Sequence, residues 1–218
     1  GGTIKDFRFN NYLTSDSQLV NIISNNPIEN LAIDLKNLDG EKINLDQNWI
    51  KTHEPGRTIS KNNNILEYKL EVFEGLFIKK TLTFNPSNYT ININLDFDDI
   101  KDMVYRDVGF SWSGGLSTTE KDTSDDKTYF KAYIYQGEEL EELKTKLGKQ
   151  DKKSFNGTTN WGAIRTKYFV SCLIPEDPNN VRSAHLSGSN TNTEQYDMSF
   201  TFDCYKNSNF ILYIGPLE

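Results

Sequence analysis

The sequence is poor in the residues that most often carry catalysis and covalent cross-links. Its 218 residues include only two histidines and two cysteines. Apolar runs are also short. The longest of them, such as Phe169 to Pro175, have the length of a strand and fall far below the roughly 20 residues that a transmembrane helix needs. We therefore expect no transmembrane segment and no signal peptide within these residues.

Clusters of basic residues interleaved with aromatic rings, which nucleic-acid binding requires, are missing as well. The net charge of -7 repels phosphate backbones, so we expect no nucleic-acid partner. The same charge disfavours tight adsorption to anionic lipid, because such attachment depends on clustered lysines and arginines. Negative charge and polar loops also disfavour self-association, so we expect a monomer.

The candidate catalytic and metal-binding residues do not form a known arrangement. The sequence has no G-x-S-x-G or H-E-x-x-H motif and no phosphate-binding glycine loop. His53 and His185 fall in predicted polar loops or at strand ends, where a solvated side chain is the simplest interpretation. Asp122 to Asp126 is a candidate calcium site, with a solvated loop as the competing interpretation. We predict no catalytic residue, no cofactor and no metal.

Alternation of apolar and polar residues dominates what is present. It is clearest at residues 91–97, where isoleucine, leucine and phenylalanine alternate with asparagine and aspartate. This pattern predicts a strand with one buried face. Asn85-Pro86-Ser87-Asn88 has the composition of a tight turn, so we predict a hairpin with an upstream strand at residues 78–84.

Turn residues between other alternating segments extend this pattern along the chain. Asp39-Gly40 predicts a two-residue turn between strands at residues 31–35 and 43–45. Further strands are predicted at residues 7–9, 66–73, 108–112, 129–135, 167–174, 198–204 and 210–214. Such a density of strands predicts an all-β chain of packed antiparallel sheets, and roughly 200 residues is a common length for one β-sandwich domain.

One segment departs from the alternation. Residues 138–147 place Leu140, Leu143 and Leu147 at helical spacing, with glutamates near the start and lysines near the end. This arrangement complements the helix dipole, so we predict one short amphipathic helix. Residues 117–127, 148–159 and 187–193 are polar and lack periodicity, and they are predicted to be surface loops.

Several short motifs occur in an order that resembles one known family. They are Gly1-Gly2-Thr3-Ile4 ahead of Tyr12, a "W…GL…TE" segment that begins at Trp112, a tryptophan-glycine turn at Trp161-Gly162, Lys167-Tyr168-Phe169, and the closing Tyr213-Ile214-Gly215-Pro216. Their order and spacing resemble the YidC membrane protein insertases, in the large first periplasmic domain. We predict that these signature residues are structural.

The resemblance implies a fold, a location and partners. The implied fold is an antiparallel β-supersandwich of the galactose-mutarotase-like kind, formed by residues 1–218 as a single periplasmic domain. The family also implies a first strand ahead of Gly1 and a helical connection to the membrane after Glu218. The implied protein is an inner-membrane insertase and chaperone, working alone or with the Sec translocon. Its expected contacts, with nascent membrane proteins and auxiliary Sec subunits, are weak and lie at sheet edges and loops such as residues 148–159. Membrane contact is expected only through segments absent from this chain.

Three questions stay open at this point. Trp161 is interpreted as a ring that caps a sheet edge, with an exposed anchor for a nascent chain as the alternative. Cys172 and Cys204 lie in phase with apolar neighbours and are both predicted to point into the core. A periplasmic location permits a disulfide between them, whereas buried cysteines also occur as small free hydrophobes. A carbohydrate-binding or mutarotase-like sandwich remains the alternative function.

Overall fold

The structure, a computed structural model, describes residues 2–23, 30–46, 49–55, 64–85, 87–119 and 127–217. Nearly all regular structure in these residues is antiparallel β-sheet, which confirms the predicted all-β sandwich. The strands are β1 (Arg8–Leu13), β2 (Leu19–Asn21), β3 (Ala32–Lys36), β4 (Lys42–Ile43), β5 (Ile50–His53), β6 (Ile65–Phe73), β7 (Leu76–Phe84), β8 (Thr90–Asp96), β9 (Asp107–Trp112), β10 (Lys131–Gln136), β11 (Glu139–Leu143), β12 (Gln150–Asn156), β13 (Thr159–Arg165), β14 (Phe169–Pro175), β15 (Val181–Asn190), β16 (Glu194–Asp203) and β17 (Asn209–Pro216).

Two large sheets build the sandwich. The nine-stranded sheet has the order β11-β10-β13-β14-β17-β8-β7-β6-β5, and the six-stranded sheet has the order β12-β15-β16-β9-β3-β4. A two-stranded ribbon of β1 and β2 accompanies them. No helix within the described residues is long and apolar enough to cross a membrane.

The core lies between the two large sheets and is built from alternating inward side chains. In β8, Ile91, Ile93 and Leu95 are buried while the asparagines between them are exposed. The ring of Phe210 on the nine-stranded sheet lies 4.9 Å from that of Phe110 on the six-stranded sheet, measured between centroids. Full burial of one such side chain stabilises a fold by about 1.5–3 kcal/mol. Side chains from both sheets therefore form one contiguous core.

Both predicted hairpins are confirmed. Strands β7 and β8 pair in the register Leu82↔Ile93, although Pro86 of their turn lies outside the described residues. Strands β3 and β4 pair in the register Leu35↔Ile43. The predicted two-residue turn is wrong, because the Asn37 N–H donates to the Glu41 carbonyl at 2.9 Å and leaves three residues, 38–40, in the turn. Gly40 adopts a φ of 85° in this turn, a value that glycine reaches without the steric cost of a side chain.

The predicted amphipathic helix is wrong. Residues Glu139–Leu143 form strand β11, which pairs with β10 in the register Tyr135↔Leu140. The reason is the turn before it: Gly137 and Glu138 have φ values of 57° and 67°, which is the left-handed pair that a two-residue hairpin turn needs. The three leucines do not share a face, since Leu143 is buried while Leu147 is 82% exposed.

Two of the predicted loops are also wrong. Residues 150–156 form the edge strand β12, which pairs along its length with β15, and β15 itself continues to Asn190. An edge strand with solvent on one side carries charged residues at many positions, so β12 lacks the alternation that marks a buried strand. Of the predicted loop at residues 117–127, residues 120–126 lie outside the described residues, as does the candidate calcium site at Asp122 to Asp126.

Candidate functional site

The first signature motif lies against a buried lysine. Gly2 is buried with a φ of 70°, and a Cβ at this position would lie 3.0 Å from Lys80 Cδ and 3.3 Å from a ring carbon of Tyr68. Lys80 is 1% exposed. Its ammonium donates to the carbonyl of Leu31 at 2.6 Å and lies 4.9 Å from the centre of the Trp49 ring. Gly2 thus permits the N-terminal segment to approach Lys80, and it precedes rather than begins strand β1.

The second motif is part of the core. Trp112, at the end of β9, is fully buried, and its indole N–H donates to the carbonyl of Gly115 at 3.1 Å. The backbone N–H of Gly114 donates to Asp197 Oδ1 at 2.9 Å. Trp112 therefore neither caps a sheet edge nor presents an exposed anchor, and its hydrogen bond fixes the path of the chain as it leaves β9.

Trp161 and Gly162 lie in the middle of strand β13, not in a turn. Since β13 runs between β10 and β14, the interpretation of Trp161 as a cap on a sheet edge is wrong. Its half-buried ring stacks on Tyr135 at 5.5 Å on the outer face of the nine-stranded sheet. A Cβ on Gly162 would lie 3.0 Å from Ile134 Cδ1 and from Phe200 Cζ, so a glycine here lets the two sheets approach closely.

The last two motifs pair with each other. Strands β14 and β17 place Phe169 opposite Pro216. Tyr213 donates its hydroxyl to the carbonyl of Pro216 at 2.7 Å, and a Cβ on Gly215 would lie 2.8 Å from that hydroxyl. Glycine at this position therefore allows the tyrosine ring to fold back over its own strand.

The Lys167-Tyr168-Phe169 motif has one buried and two more accessible side chains. Phe169 is 3% exposed, whereas Tyr168 is 42% exposed. The Lys167 ammonium lies 5.0 Å from the Tyr168 ring centre. The structural role predicted for the signature residues stays a prediction, although Gly2, Trp112, Gly162 and Gly215 all occupy positions of close packing.

A polar cleft crosses the outer face of the six-stranded sheet. It has a volume of about 390 Å³ and contains His185, which lies within β15 and not in the predicted loop or strand end. Its ring nitrogens lie 3.0 Å from Ser154 Oγ and 3.1 Å from Ser183 Oγ. Hydroxyl groups rather than a carboxylate therefore engage the imidazole. The cleft lining contains no Phe, Tyr or Trp, so it offers no aromatic ring on which a sugar could stack.

Within the described part of the chain, neither His53 nor a group of potential metal ligands forms a further candidate site. His53 is exposed at the end of edge strand β5, as the sequence predicts. Within the described residues, no group of three or more His, Cys, Asp or Glu side chains is placed to hold a metal ion.

The two cysteines are free. Cys204 is buried, and burial raises the pKa of its thiol to about 11. The prediction for Cys172 is wrong, because β14 directs Ser171 and Leu173 into the core and leaves Cys172 half-buried on the other face. Burial by its neighbours still raises the pKa of the Cys172 thiol to about 12. Neither thiol is therefore ionised enough at neutral pH to be a strong nucleophile.

The two ends of the sandwich differ in charge. We define the basic end by residues 127–130, 144–149, 166–168 and 216–217, and the acidic end by residues 37–41, 97–106, 137–138, 176–180 and 204–208. In an antiparallel sheet alternate turns lie at the same end, which is why these separate segments meet. Carboxylates dominate the turns of the acidic end, namely Asp39, Glu41, Asp98, Asp99, Asp102, Glu138, Glu176 and Asp177.

Cross-sheet contacts hold the connection between β11 and β12 at the basic end. Lys144 pairs with Glu194 at 2.6 Å, and Tyr196 donates to the same carboxylate at 2.7 Å. The backbone N–H of Thr145 donates to the Tyr196 hydroxyl at 2.9 Å. A Cβ on Gly188 would overlap Thr145 Oγ1 and lie 2.9 Å from a ring carbon of Tyr196. The bare backbone at Gly188 therefore lets this connection dock onto the six-stranded sheet.

These features are compatible with several β-sandwich families, and comparison with known proteins separates them. Residues 1–218, the whole chain, match the family described as the YidC periplasmic domain. The chain belongs to this family. The YidC match confirms the resemblance seen in the sequence motifs and the predicted periplasmic location.

Curated relatives carry the same family name. The chain is 27% identical over 235 residues to the membrane protein insertase YidC of Chloroherpeton thalassium, a match that covers 100% of this chain and 39% of the relative. It is 26% identical over 231 residues to the membrane protein insertase YidC of Chlorobaculum tepidum, with the same coverage of both chains. The chain thus spans 39% of the length of these relatives.

Among solved structures, the chain is similar to the GH36 α-galactosidase AgaA of Geobacillus stearothermophilus. The TM-score is 0.46 and the identity 9%, over 99% of this chain and 35% of that chain. Identity at this level bears on neither the chemistry nor the ligands of the YidC family.

Proposed function

We propose that this chain is the periplasmic domain of a membrane protein insertase and chaperone, which helps to insert and fold inner-membrane proteins alone or together with the Sec translocon. The observation that carries the proposal is the match of all 218 residues to the YidC periplasmic domain. Asp34 and Asp197 line the described cleft together with His185, but the imidazole is hydrogen-bonded to serines and not to a carboxylate, which supports a role in contact and positioning rather than in bond breaking.

Sheet edges are the surfaces on which partner contact is proposed. Strands β5 and β11 end the nine-stranded sheet, and β12 and β4 end the six-stranded sheet. All four residues of β5 are exposed, and an exposed edge can accept an added strand from a partner. Lys153 of β12 pairs with Glu141 of β11 at 3.0 Å, so these two edge strands lie side by side. Their charged side chains disfavour uncontrolled pairing with another chain.

The proposed partners are nascent membrane proteins and auxiliary Sec subunits, which would bind weakly. Short edges of this kind bury less surface than a stable complex needs. Segment 148–159 stays the proposed contact region, with the correction that it contains edge strand β12 instead of a loop. Residues 150–152 of this edge are all exposed, and residues 152–156 alternate between exposed and half-buried positions, so side chains on one face can reach a partner.

Photo-crosslinking in the full-length protein tests this proposal. A photoreactive residue replaces Asp151 or Lys152 on β12, or Lys51 on β5, while an inner-membrane substrate is being inserted. Crosslinks to substrate or a Sec subunit from these positions, and none from the buried control Phe200, are expected. If deletion of the domain leaves the insertion of every tested substrate unchanged and no edge position crosslinks, the domain acts only as a spacer.

We further propose that residues 1–218 fold as one monomeric domain. The single core shared by both large sheets supports this. Equilibrium sedimentation should give the monomer mass at micromolar concentration, and unfolding followed by circular dichroism and by tryptophan fluorescence should coincide. A dimer that persists on dilution, or two separate transitions, would contradict the proposal.

A further inference from the structure

Topology gathers lysines at the basic end that are scattered along the sequence. Lys127 precedes β10, residues 144–149 connect β11 to β12, and Lys167 lies between β13 and β14. The registers Lys131↔Arg165 and Ala132↔Leu143 show that these three connections leave the nine-stranded sheet on the same side. Lys146 and Lys149 are exposed, and neither forms an ion pair with another described residue.

Exposed apolar side chains lie among these lysines. Leu147 is 82% exposed, and Tyr129, Tyr168 and Leu217 are 44%, 42% and 40% exposed. The backbone N–H of Leu217 donates to the carbonyl of Tyr168 at 2.7 Å, which fixes the last strand beside the β13–β14 turn. An open groove of about 480 Å³ lies beside Leu147, between Lys127 and Lys146.

The net charge of the whole chain conceals this arrangement. The value of -7 averages over an acidic end rich in carboxylates and a basic end rich in lysines. Electrostatic attraction to a surface acts over about 8 Å at physiological ionic strength. The longest strands have 10 residues and extend about 33 Å at about 3.3 Å per residue, so the charge of the nearer end decides whether a surface attracts or repels the molecule.

We propose that the basic end of the sandwich docks on the surface of an anionic phospholipid bilayer. Tyrosine and leucine enter the interface between headgroups and acyl chains, while the lysines around them reach the lipid phosphates. An acidic protein partner would instead call for a shaped, dry pocket, whereas these side chains project from separate turns. This inference rests on the periplasmic location and does not require the proposed insertion activity.

Binding to vesicles tests the proposal. The purified chain is sedimented with vesicles of phosphatidylglycerol and phosphatidylcholine, and with phosphatidylcholine alone, at low and high salt. We expect binding only to the anionic vesicles, and its loss at high salt. Each lysine near an anionic surface is worth about 1 kcal/mol, or about fivefold in affinity. The triple variant Lys146→Glu, Lys149→Glu and Lys167→Glu should therefore bind at least about a hundredfold more weakly.

The matched control has the same net charge but alters the acidic end. It carries Lys101→Glu and Lys206→Glu in the acidic end and Lys36→Glu at the adjoining end of β3, all at exposed or half-buried positions, and should bind as the parent does. Both variants leave Lys127 unchanged. The reason is that residues 120–126, which directly precede it in the sequence, contain carboxylates that would offset its charge. Circular dichroism and the unfolding midpoint check that each variant is folded. Equal loss in both triple variants would show that net charge alone matters and would overturn the proposal.

A second measurement tests orientation in the full-length insertase. Spin labels at Leu147→Cys and Leu38→Cys, in a background without the native cysteines, report depth in anionic nanodiscs. The Leu147 label at the basic end should contact lipid, and the Leu38 label at the acidic end should not. Absence of lipid contact at Leu147 overturns the inference even where insertion is intact. If the parent chain does not bind vesicles but the basic-end triple variant impairs insertion, the basic end contacts a protein partner, and the inference is overturned as well.

Discussion

The two ends of the sandwich are closed by different kinds of interaction. At the acidic end, Asp203 is 1% exposed and bonds to the guanidinium groups of Arg106 at 2.6 Å and Arg182 at 3.1 Å. At the basic end, the rings of Phe9 and Phe169 stack at 5.0 Å. Directional hydrogen bonds to a buried carboxylate fix the first end, whereas packing of aromatic surface adds to the Lys144–Glu194 pair in fixing the second. The ends therefore differ in which conditions weaken them.

The ionic cluster, which is formed by Asp203, Arg106 and Arg182, is a network and not a single pair. The backbone of Asp203 is bonded in both directions by the Asn180 side chain, while Arg182 also pairs with Asp107 at 3.0 Å. Asp107 and Asp203 lie opposite each other on neighbouring strands, where two carboxylates repel. The Arg182 guanidinium pairs with both carboxylates and so offsets their repulsion.

The aromatic cluster joins elements that are far apart in the sequence. Phe9 of β1 contacts Tyr12, Tyr89 and Phe169, with ring centroids between 5.0 and 5.6 Å apart. Tyr89 in turn contacts Tyr213 of β17 at 6.2 Å. The ribbon of β1 and β2 is thus attached to the nine-stranded sheet largely through these rings.

Removing a ring from the aromatic cluster should have the largest effect on the free energy of unfolding. Phe169→Ala deletes a buried ring and leaves a cavity, which typically costs about 3–5 kcal/mol of unfolding free energy. Urea denaturation measures this loss. The neighbouring exposed variant Tyr168→Ser should change the unfolding free energy by about 0.5 kcal/mol or less. Equal effects of the two variants would show that the rings do not close this end.

Breaking the ionic closure should have the next largest effect. Asp203→Ala leaves two guanidinium groups without their shared carboxylate, and breaking a buried pair costs about 3–5 kcal/mol. We expect the lower part of that range, because both arginines reach solvent. Denaturation in urea again measures the change. In the control Asp98→Ala the midpoint should shift little, because the exposed pair of Asp98 with Lys101 contributes only about 0–1 kcal/mol. Stability equal to that of the parent would mean that the cluster is not a structural closure.

Acid should weaken the acidic end selectively. Burial alone would raise the pKa of Asp203, but hydrogen bonds from Arg106, from the Tyr205 N–H and from Arg182 lower it to about 2. A carboxyl group with a depressed pKa in the folded state stabilises the fold above its unfolded pKa near 3.8, and this stabilisation is lost as the pH falls towards 2. Asp203→Asn should lose less stability between pH 4 and pH 2 than the parent, as measured by urea midpoints. Parallel pH profiles would refute this assignment.

A smaller effect is expected from the hydrogen bonds that hold residues 144–149 at the basic end. Tyr196→Phe removes the hydroxyl that donates to Glu194 and accepts from the Thr145 N–H, which leaves a buried donor unsatisfied and costs about 1–3 kcal/mol. The lower part of this range is expected, because Glu194 keeps its pair with Lys144. Thermal unfolding measures the change, and the control Tyr133→Phe removes a hydroxyl from the outer face of the nine-stranded sheet. A change no larger than that of the control would contradict the assignment.

The smallest effect concerns the thiols. Raised pKa values and burial predict slow reaction of Cys204, beside the ionic cluster, with a thiol reagent in the native state and prompt reaction in denaturant. Asp203→Ala should accelerate labelling of Cys204 more than that of Cys172, because local opening at the acidic end exposes the nearer thiol first. Mass spectrometry distinguishes the two sites. Equal acceleration would indicate global rather than local opening.

The sequence predicted strands best where one face is fully buried. Residues 91–97 alternate cleanly because β8 lies in the middle of the nine-stranded sheet. Edge strand β12 is polar on both faces, and β15 presents small residues such as Ala184 and Gly188 to the core, so neither produces a strong apolar period. In β11, the turn chemistry of Gly137 and Glu138 overrode the helical spacing of the leucines.

The functional surfaces were less predictable than the fold. Family motifs identified the protein class, yet most of their residues turned out to occupy close-packed positions such as Gly162 and Gly215. The basic end could not be seen in the sequence, because its lysines come from connections that only the strand order brings together. Net charge, taken over the whole chain, also averages out the separation of charge on which the proposed lipid docking depends.

The docking of residues 144–149 onto Gly188 has a consequence for how this family diverges. Any side chain at position 188 collides with Thr145 and the Tyr196 ring, so the connection that carries Lys146 and Lys149 follows its present path only while this position stays glycine. In a homologue with alanine or serine there, either that connection takes another route or position 145 carries a smaller side chain. We therefore expect substitutions at positions 145, 188 and 196 to be coupled, and we expect a replacement of the glycine to alter the path of Lys146 and Lys149.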